Sequence, residues 1–344
     1  MFAEVEAVLR AELGRRYSAA VVRIEQGGRP RFERAYGRLQ DDATAPPCQV
    51  DTRFDLASIT KVFVATVALD AVARGALALD ASLLASIPEW RETAHAPIVL
   101  RQILAHDAGF RSGADWRTLL DDDVEAFALT EPLAAPVGER VIYSDLGFIA
   151  LGVLLARAHG VSLRALVDAR LRAFGARATA YTPAGTERGA IPATETDAWR
   201  GSVQGVVHDE KAHLLGGVAG HAGLFGDARD VAALAEWYLA ALRGRPTPLD
   251  RGLACEAVRE QAWDPVLRRG LGWALKTTDE NSCGTKMSAQ SFGHTGFTGT
   301  SLWADPVRDL SVVLLTNAVH YGRSDLRAVR AAVCDAAVVA VDRG

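Results

Sequence analysis

Cysteine is scarce: Cys48, Cys255, Cys283 and Cys334 are the only four, and no two stand at metal-ligand spacing. In a chain this long, free thiols are expected rather than a disulfide framework or a structural zinc. Long apolar runs are missing too, since nothing approaches the roughly 18–20 apolar residues that span a bilayer. The N-terminus, MFAEVEAVLRAELGRRYSAA, spaces Phe2, Val5, Val8, Leu9 and Leu13 as on a helix, with charges between them. It has neither the basic start nor the unbroken apolar stretch of a signal peptide, so the chain as given is expected in the cytoplasm. No charge dominates: 38 Lys and Arg face 42 Asp and Glu, for a net charge of -4. That balance offers no basic surface to a phosphate backbone and argues against a nucleic-acid partner. Three motifs are absent as well. Without Gly-x-Ser-x-Gly an α/β-hydrolase is disfavoured. Without a Walker loop or Gly-x-Gly-x-x-Gly after a strand, a nucleotide cofactor is disfavoured.

What is present is an ordinary globular composition, 49% hydrophobic and 23% charged, over 344 residues. At roughly 150 residues per domain this is two domains or one two-lobed unit. Residues 19–25 and 31–36 are β-like runs joined through Gly27-Gly28, which predicts a hairpin. Residues 54–74, FDLASITKVFVATVALDAVAR, are apolar nearly all round and stop at Gly75, which predicts a helix buried on every side. Helical patterns follow at 100–105, 147–159, 162–174 and 228–243. Residues 179–226 are rich in Gly, Thr and Pro and read as loop walls of a site. Strand-like runs return at 270–276, 291–294, 299–304 and 310–317, and an amphipathic helix at 324–341 closes the chain. Trp273 and Trp303 fall in these strand runs and read as core or cleft lining. The pattern predicts an α+β fold with an antiparallel sheet built from both chain ends, residues 1–75 and 240–344. A mostly helical lobe, residues 76–239, is inserted between them, leaving a groove between the lobes as the natural site.

Three places carry candidate chemistry. Ser58 and Lys61 lie three apart on one helix face, within almost wholly apolar flanks. A lysine buried there is paired, or its pKa falls and it becomes a base for the serine. Ser58 sits near the helix start, where unpaired N–H groups favour developing negative charge. Tyr143-Ser144-Asp145 precedes a second helix, which Asp145 is placed to cap. His294-Thr295-Gly296, followed by Phe297-Thr298-Gly299, lies at a strand end, where glycine permits close backbone approach to a ligand.

Taken singly each is a common pattern; taken in order they resemble the serine β-lactamase and penicillin-binding-protein superfamily. That family carries Ser-x-x-Lys, then Tyr-x-Asn, then Lys-Thr-Gly or His-x-Gly. Here these stand as Ser58-Ile59-Thr60-Lys61, Tyr143-Ser144-Asp145 and His294-Thr295-Gly296. The long gap before a Tyr-led second motif is similar to the class C branch. Leu104-Ala105-His106-Asp107-Ala108-Gly109 is similar to the family's Leu-x-His-x-Ser-Gly stretch. The resemblance implies a serine hydrolase in which Ser58 is acylated and Lys61 with Tyr143 forms the base system. It implies an oxyanion hole from the N–H groups of Ser58 and Phe297, and substrate contacts from Asp145, His294, Thr295 and Gly296. It implies no metal and no organic cofactor.

Two departures stand out. Asp145 replaces an Asn that donates to a substrate carbonyl; an ionised Asp only accepts, and it is expected to pair with Lys61 and raise its pKa. His294 replaces Lys and is mostly neutral at pH 7. Both predict weaker anion binding and little turnover of β-lactams. Residues 206–225 contain His208, Asp209, Glu210, His213 and His221. A zinc set of His208, Asp209, His213 and His221 is disfavoured, because Gly216-Gly217 breaks any helix through it. The stretch instead resembles a subgroup of these hydrolases, some of which cleave the amide between N-acetylmuramic acid and L-Ala. There Asp145, Glu210 and His208 are expected to read a sugar or a peptide amine. The expected substrate is therefore an amide or ester of cell-wall peptide or muropeptide type. Alternatives are a small-ester esterase, a weak class C-like β-lactamase and a non-catalytic penicillin-binding sensor. The oligomeric state is left open.

Overall fold

The computed structural model describes residues 1–344 apart from 184, 264, 266, 267, 279 and 280. Helix α1 (Ala3–Glu12) leads into the hairpin of β1 (Ala19–Gln26) and β2 (Arg29–Gly37), turned at Gly27 and Gly28, both with positive φ. Next come β3 (Phe54–Asp55), α2 (Ile59–Ala73), α3 (Leu100–Ala105), α4 (Val124–Thr130), α5 (Asp145–His159) and α6 (Leu163–Phe174). The middle of the chain continues with β4 (Ala180–Tyr181), β5 (Ala193–Asp197), β6 (Gly201–Gln204), α7 (Glu210–Leu214) and β7 (Leu224–Gly226). Helices α8 (Ala228–Arg243) and α9 (Arg251–Ala257) precede the last strands, β8 (Arg268–Arg269), β9 (Ala274–Leu275), β10 (Phe292–Thr295), β11 (Ser301–Asp305) and β12 (Leu310–Thr316). Helix α10 (Arg327–Asp342) closes the chain.

The main sheet has the order β2-β1-β12-β11-β10-β9-β8, and each neighbouring pair is antiparallel. Its middle joins the two chain ends, with Ala20 opposite Thr316 and Gln26 opposite Leu310. Side chains alternate between faces along each strand. Val21, Leu302, Val313 and Leu315 share a core with Leu234 and Tyr238 of α8 and with α2. Val22, Ile24, Val312, Leu314 and Trp303 share another with Val5 and Leu9 of α1 and Val333 and Ala337 of α10. Both faces are therefore covered, which is why β12 is buried throughout while the edge strand β2 is largely exposed. The fold is α+β, with one antiparallel sheet built from both chain ends.

Helix α2 is buried on every side, as its sequence predicts, and packs against α5 and α6, α9 and β10. It is the piece on which the helical lobe and the sheet meet. Three expectations are corrected. The helix starts at Ile59, not at residue 54: Phe54 and Asp55 form β3, paired with β7, because the backbone reverses at Ala57, where φ is +47°. The lobe boundary at 239 falls inside α8, which packs on β1, β11 and β12 and so belongs with the sheet. Its moment-bearing apolar face, including Val231, Leu234 and Tyr238, needs that sheet to be covered. Residues 179–226 are not loop alone but hold β4 to β7 and α7, elements too short to leave a periodic signal. Trp273 lies between β8 and β9 and is core, edge-on to Tyr238 and Phe292; Trp303 is on β11. Among the described residues the cysteines form no disulfide, and no single helix is long and apolar enough to cross a membrane.

Candidate active site

The cleft is organised by one strained turn. Ala57 holds a left-handed φ of +47°, which costs a residue with a Cβ of order 1–3 kcal/mol unless its surroundings fix it. They do. The Asp55 carboxylate accepts from Ala57 N at 2.8 Å and from His208 N at 2.6 Å. Burial pushes the Asp55 carboxyl up, and these two bonds oppose the push. Thr298 Oγ1 donates to Asp55 O at 2.8 Å and Thr300 Oγ1 to Leu56 O at 3.1 Å, tying the β10–β11 turn to the same loop. Ser58 is delivered at the N-cap of α2, and the N–H groups of the first turn, Ile59, Thr60 and Lys61, donate to the carbonyls of Leu56, Ala57 and Ser58.

One turn further on, Lys61 is fully buried. Its Nζ donates to Ser58 Oγ at 3.0 Å and to His221 O at 3.2 Å, and pairs with Asp145 Oδ1 at 2.8 Å. Burial favours the neutral amine, but Asp145 and Tyr143 outweigh it and hold Lys61 above the ordinary lysine range. Of the two possibilities for a buried lysine, pairing is the one realised: Lys61 is an ammonium, as the Asp145 substitution predicts. Asp145 does not cap α5. Ser144 does, accepting from Gly147 N at 3.1 Å, and this frees the Asp145 carboxylate for the lysine.

Tyr143 lies between two cations and two imidazole rings. Lys61 Nζ is 4.9 Å and Arg269 Cζ 5.1 Å from its ring centre; His106 and His294 pack at 4.7 and 5.8 Å. His106, itself left-handed with φ +61°, accepts from Ser144 N at 3.1 Å through Nδ1. Burial, then Arg269 and Lys61, keep it neutral, with a pKa well below the usual histidine range. The same causes push His294 down to about 3. Both imidazoles are therefore uncharged at neutral pH, so they shape the tyrosine's surroundings without adding charge.

Gly296 is required by contact. A Cβ there would stand 2.1 Å from Thr300 Oγ1 and 2.5 Å from Leu56 O. Gly296→Ala is expected to push β10 off the nucleophile loop and cut acylation of Ser58 by about 100-fold, since ~1 Å of misplacement costs that much. Labelling rates with a fluorophosphonate would show it. Phe297 follows on the same turn, its side chain exposed at the cleft mouth between His208 and Arg323.

The structure gathers Ser58, Lys61, Tyr143, Asp145, His294, Thr295, Gly296 and Phe297 around one cleft. It does not gather the four residues considered for zinc. His208 Nε2 pairs with Glu195 at 2.8 Å and His213 packs edge-on to Trp199, away from the Asp209–His221 hydrogen bond at 2.7 Å. Glu210 and His208 are each held by an ion pair, Glu210 with Arg323 at 2.5 Å and His208 with Glu195 at 2.8 Å. Sequence reasoning missed two features. Lys211 Nζ lies 3.2 Å from Asp145 Oδ2 and 3.4 Å from Asp209 Oδ2. Arg268, Arg269, Arg323, Arg327 and Arg330 all line the cleft. Asp145's charge is shared by two ammonium groups, and three of these arginines are paired in turn: Arg268 with Glu260 at 2.6 Å, Arg323 with Glu195 at 2.8 Å and Arg327 with Asp325 at 3.1 Å. No local pattern joins these arginines, which come from β8, α10 and the loop before α10.

Comparison with known proteins agrees with this geometry. The family described as Beta-lactamase matches residues 5–336. An esterase, EstB of Burkholderia gladioli, is 31% identical, over 90% of this chain and 88% of its own. An N-acetylmuramyl-L-alanine amidase of Bacillus subtilis (strain 168) is 29% identical, over 92% of this chain and 81% of its own. Among solved structures, EstCE1, a hydrolase with promiscuous acyltransferase activity, shares the fold with a TM-score of 0.80 at 22% identity, covering 98% of each chain. Since the match runs almost from end to end, the chain belongs to the β-lactamase family and is a serine hydrolase.

Proposed function

We propose that the protein hydrolyses an amide of cell-wall peptide or muropeptide type through an acyl-enzyme on Ser58. Once the Lys61–Tyr143 pair has released a proton to solvent, Ser58 Oγ attacks the carbonyl carbon and its proton passes to that pair. The N–H groups of Ser58 and Phe297 stabilise the oxyanion, and Thr295 with His294 lines the strand along which the substrate lies. The C–N bond then breaks, the proton passes to the leaving amine, and water attacks the ester so formed.

The observation that carries the amide over a small ester is the cleft itself. It encloses about 780 Å3 and runs from Ser58 past Thr277, Asn281 and the five arginines. Among its described lining residues, Asp325 is the only carboxylate. Arg330 is buried, donates from Nη2 to Gly296 O at 2.7 Å, and is pulled down to about 10 by burial, so it stays a cation at neutral pH. Arg330 at Gly296 and Arg269 beside the Tyr143 ring set guanidinium charge near the scissile bond, which suits a peptide leaving group that bears carboxylates. A small neutral ester uses none of it. The esterase reading keeps one support, the 31% identity to EstB.

The test is a matched pair of substrates. Hydrolysis of N-acetylmuramyl-L-alanyl-D-glutamate is compared with that of its neutral diamide and of p-nitrophenyl acetate. A kcat/KM about tenfold or more higher for the free acid, falling with added salt, is expected. Equal rates for acid and diamide, or turnover of the acetate alone, would move the esterase reading to the front.

A further inference from the structure

Lys211 is a second buried lysine in the same cleft wall, and neither the nucleophile nor the base accounts for it. It sits on α7, with its side chain one-tenth exposed. Its ammonium bridges two carboxylates, Asp145 Oδ2 at 3.2 Å and Asp209 Oδ2 at 3.4 Å. Asp145 Oδ1 holds Lys61 at 2.8 Å. Asp209 is fixed in turn: it caps α7 through Ala212 N at 2.8 Å and binds His221 Nε2 at 2.7 Å. His221 returns to the nucleophile, because its carbonyl accepts from Lys61 Nζ at 3.2 Å. Charges of alternating sign therefore run Lys61, Asp145, Lys211, Asp209, largely shielded from water.

We infer that Lys211 is a positioning residue, which acts through Asp145 to limit how tightly Lys61 holds its proton. One carboxylate shared by two ammonium groups stabilises each less than it would stabilise one alone. The other groups that bear on Lys61 are Tyr143, with Arg269 beside its ring, and the neutral rings of His106 and His294. None of these contacts Asp145 Oδ2, so the variants below leave them in place. Burial opposes the charge on Lys211, yet Asp209 and Asp145 prevail and hold it above the ordinary lysine range, so the bridge stays cationic over the working pH range.

The sign of the effect makes this testable. In Lys211→Met, Asp145 serves Lys61 alone, and Lys61 releases its proton less readily. The rising limb of the pH–rate profile moves to higher pH by about one unit, and the rate at pH 7 falls about tenfold. Lys211→Arg keeps a cation at the same carboxylates and restores the rate to within about threefold. Asp209→Asn keeps the helix cap but removes a negative charge, so its limb moves the opposite way, to lower pH. The readout is the rate of fluorophosphonate labelling of Ser58 against pH, which needs no knowledge of the natural substrate. Failure of the amide reading would therefore leave this test intact. Limbs displaced in opposite directions support the role. Unmoved limbs in both variants, or equal losses at every pH in Lys211→Met and Lys211→Arg, overturn it. If Lys211→Met does not fold, Asp209→Asn decides alone: an unmoved limb overturns the inference.

Discussion

Ser58→Ala is expected to lower kcat by about 10⁴-fold or more and to abolish covalent labelling by a fluorophosphonate or by penicillin. Removing the nucleophile of a serine hydrolase removes the acyl-enzyme path, and what remains comes from the oxyanion site and substrate binding. Ser58 lies half-exposed at the N-cap, and its side chain makes one hydrogen bond, to Lys61 at 3.0 Å. Stability should accordingly change by no more than about 1 kcal/mol. Intact-protein mass spectrometry on wild type and variant checks both parts together with a thermal melt. Penicillin labelling of the wild type would show that the basic cleft accepts a β-lactam carboxylate. A fluorophosphonate adduct that persists in Ser58→Ala would place the nucleophile elsewhere.

Asp145→Asn carries the second large effect, and it touches both stability and rate. Burial pushes the Asp145 carboxyl up, but Lys61, His221 and Lys211 prevail and hold it below the usual carboxylate range. A depressed acid stabilises the fold above its unfolded pKa, about 3.9, and that contribution is lost as pH falls through the folded value. Lys61 is raised, so its contribution is present below the ordinary lysine value and is lost as pH rises through the folded one. The pair therefore stabilises over the whole span between the carboxylate and lysine ranges. With asparagine, two buried ammonium groups face each other without their common counter-charge, and about 3 kcal/mol is expected to be lost across that span. Chemical denaturation at pH 5 and pH 8 should show similar losses at both. In the same variant Lys61 loses the charge that raised its pKa, so the rising limb of the pH–rate profile moves to lower pH. A wild-type profile in the variant would mean that Asp145 does not govern the proton on Lys61.

Much of the fold was legible because it depends on local periodicity. The β-like runs at residues 19–25 and 310–317 mark strands, their near-continuous apolar character fitting strands buried on both faces, and the all-apolar helix around Val62 to Ala71 announces its own burial. The starts and stops were less legible. Residues 54–58 read as helix because their side chains are apolar, whereas Asp55 captures the Ala57 N–H and turns the chain. Ser144 and Asp145 are both good caps, and only the lysine opposite explains which of them serves.

Ser58, Lys61, Tyr143 and His294 were picked out because their motifs, common patterns singly, resemble the family's when taken in order. The sequence by itself thus determined the sheet from both chain ends, the buried helix and the motif residues. Tertiary structure alone decided the charge state of the site. Lys211 meets Asp145, and the arginines from β8 and α10 come to line one cleft, with Arg330 at Gly296 O. Periodicity records which face is buried, and motif spacing records neighbours one turn apart. Coulomb interaction depends on distance through space and on the water excluded between the charges, and residues far apart in the chain acquire both only when the fold closes.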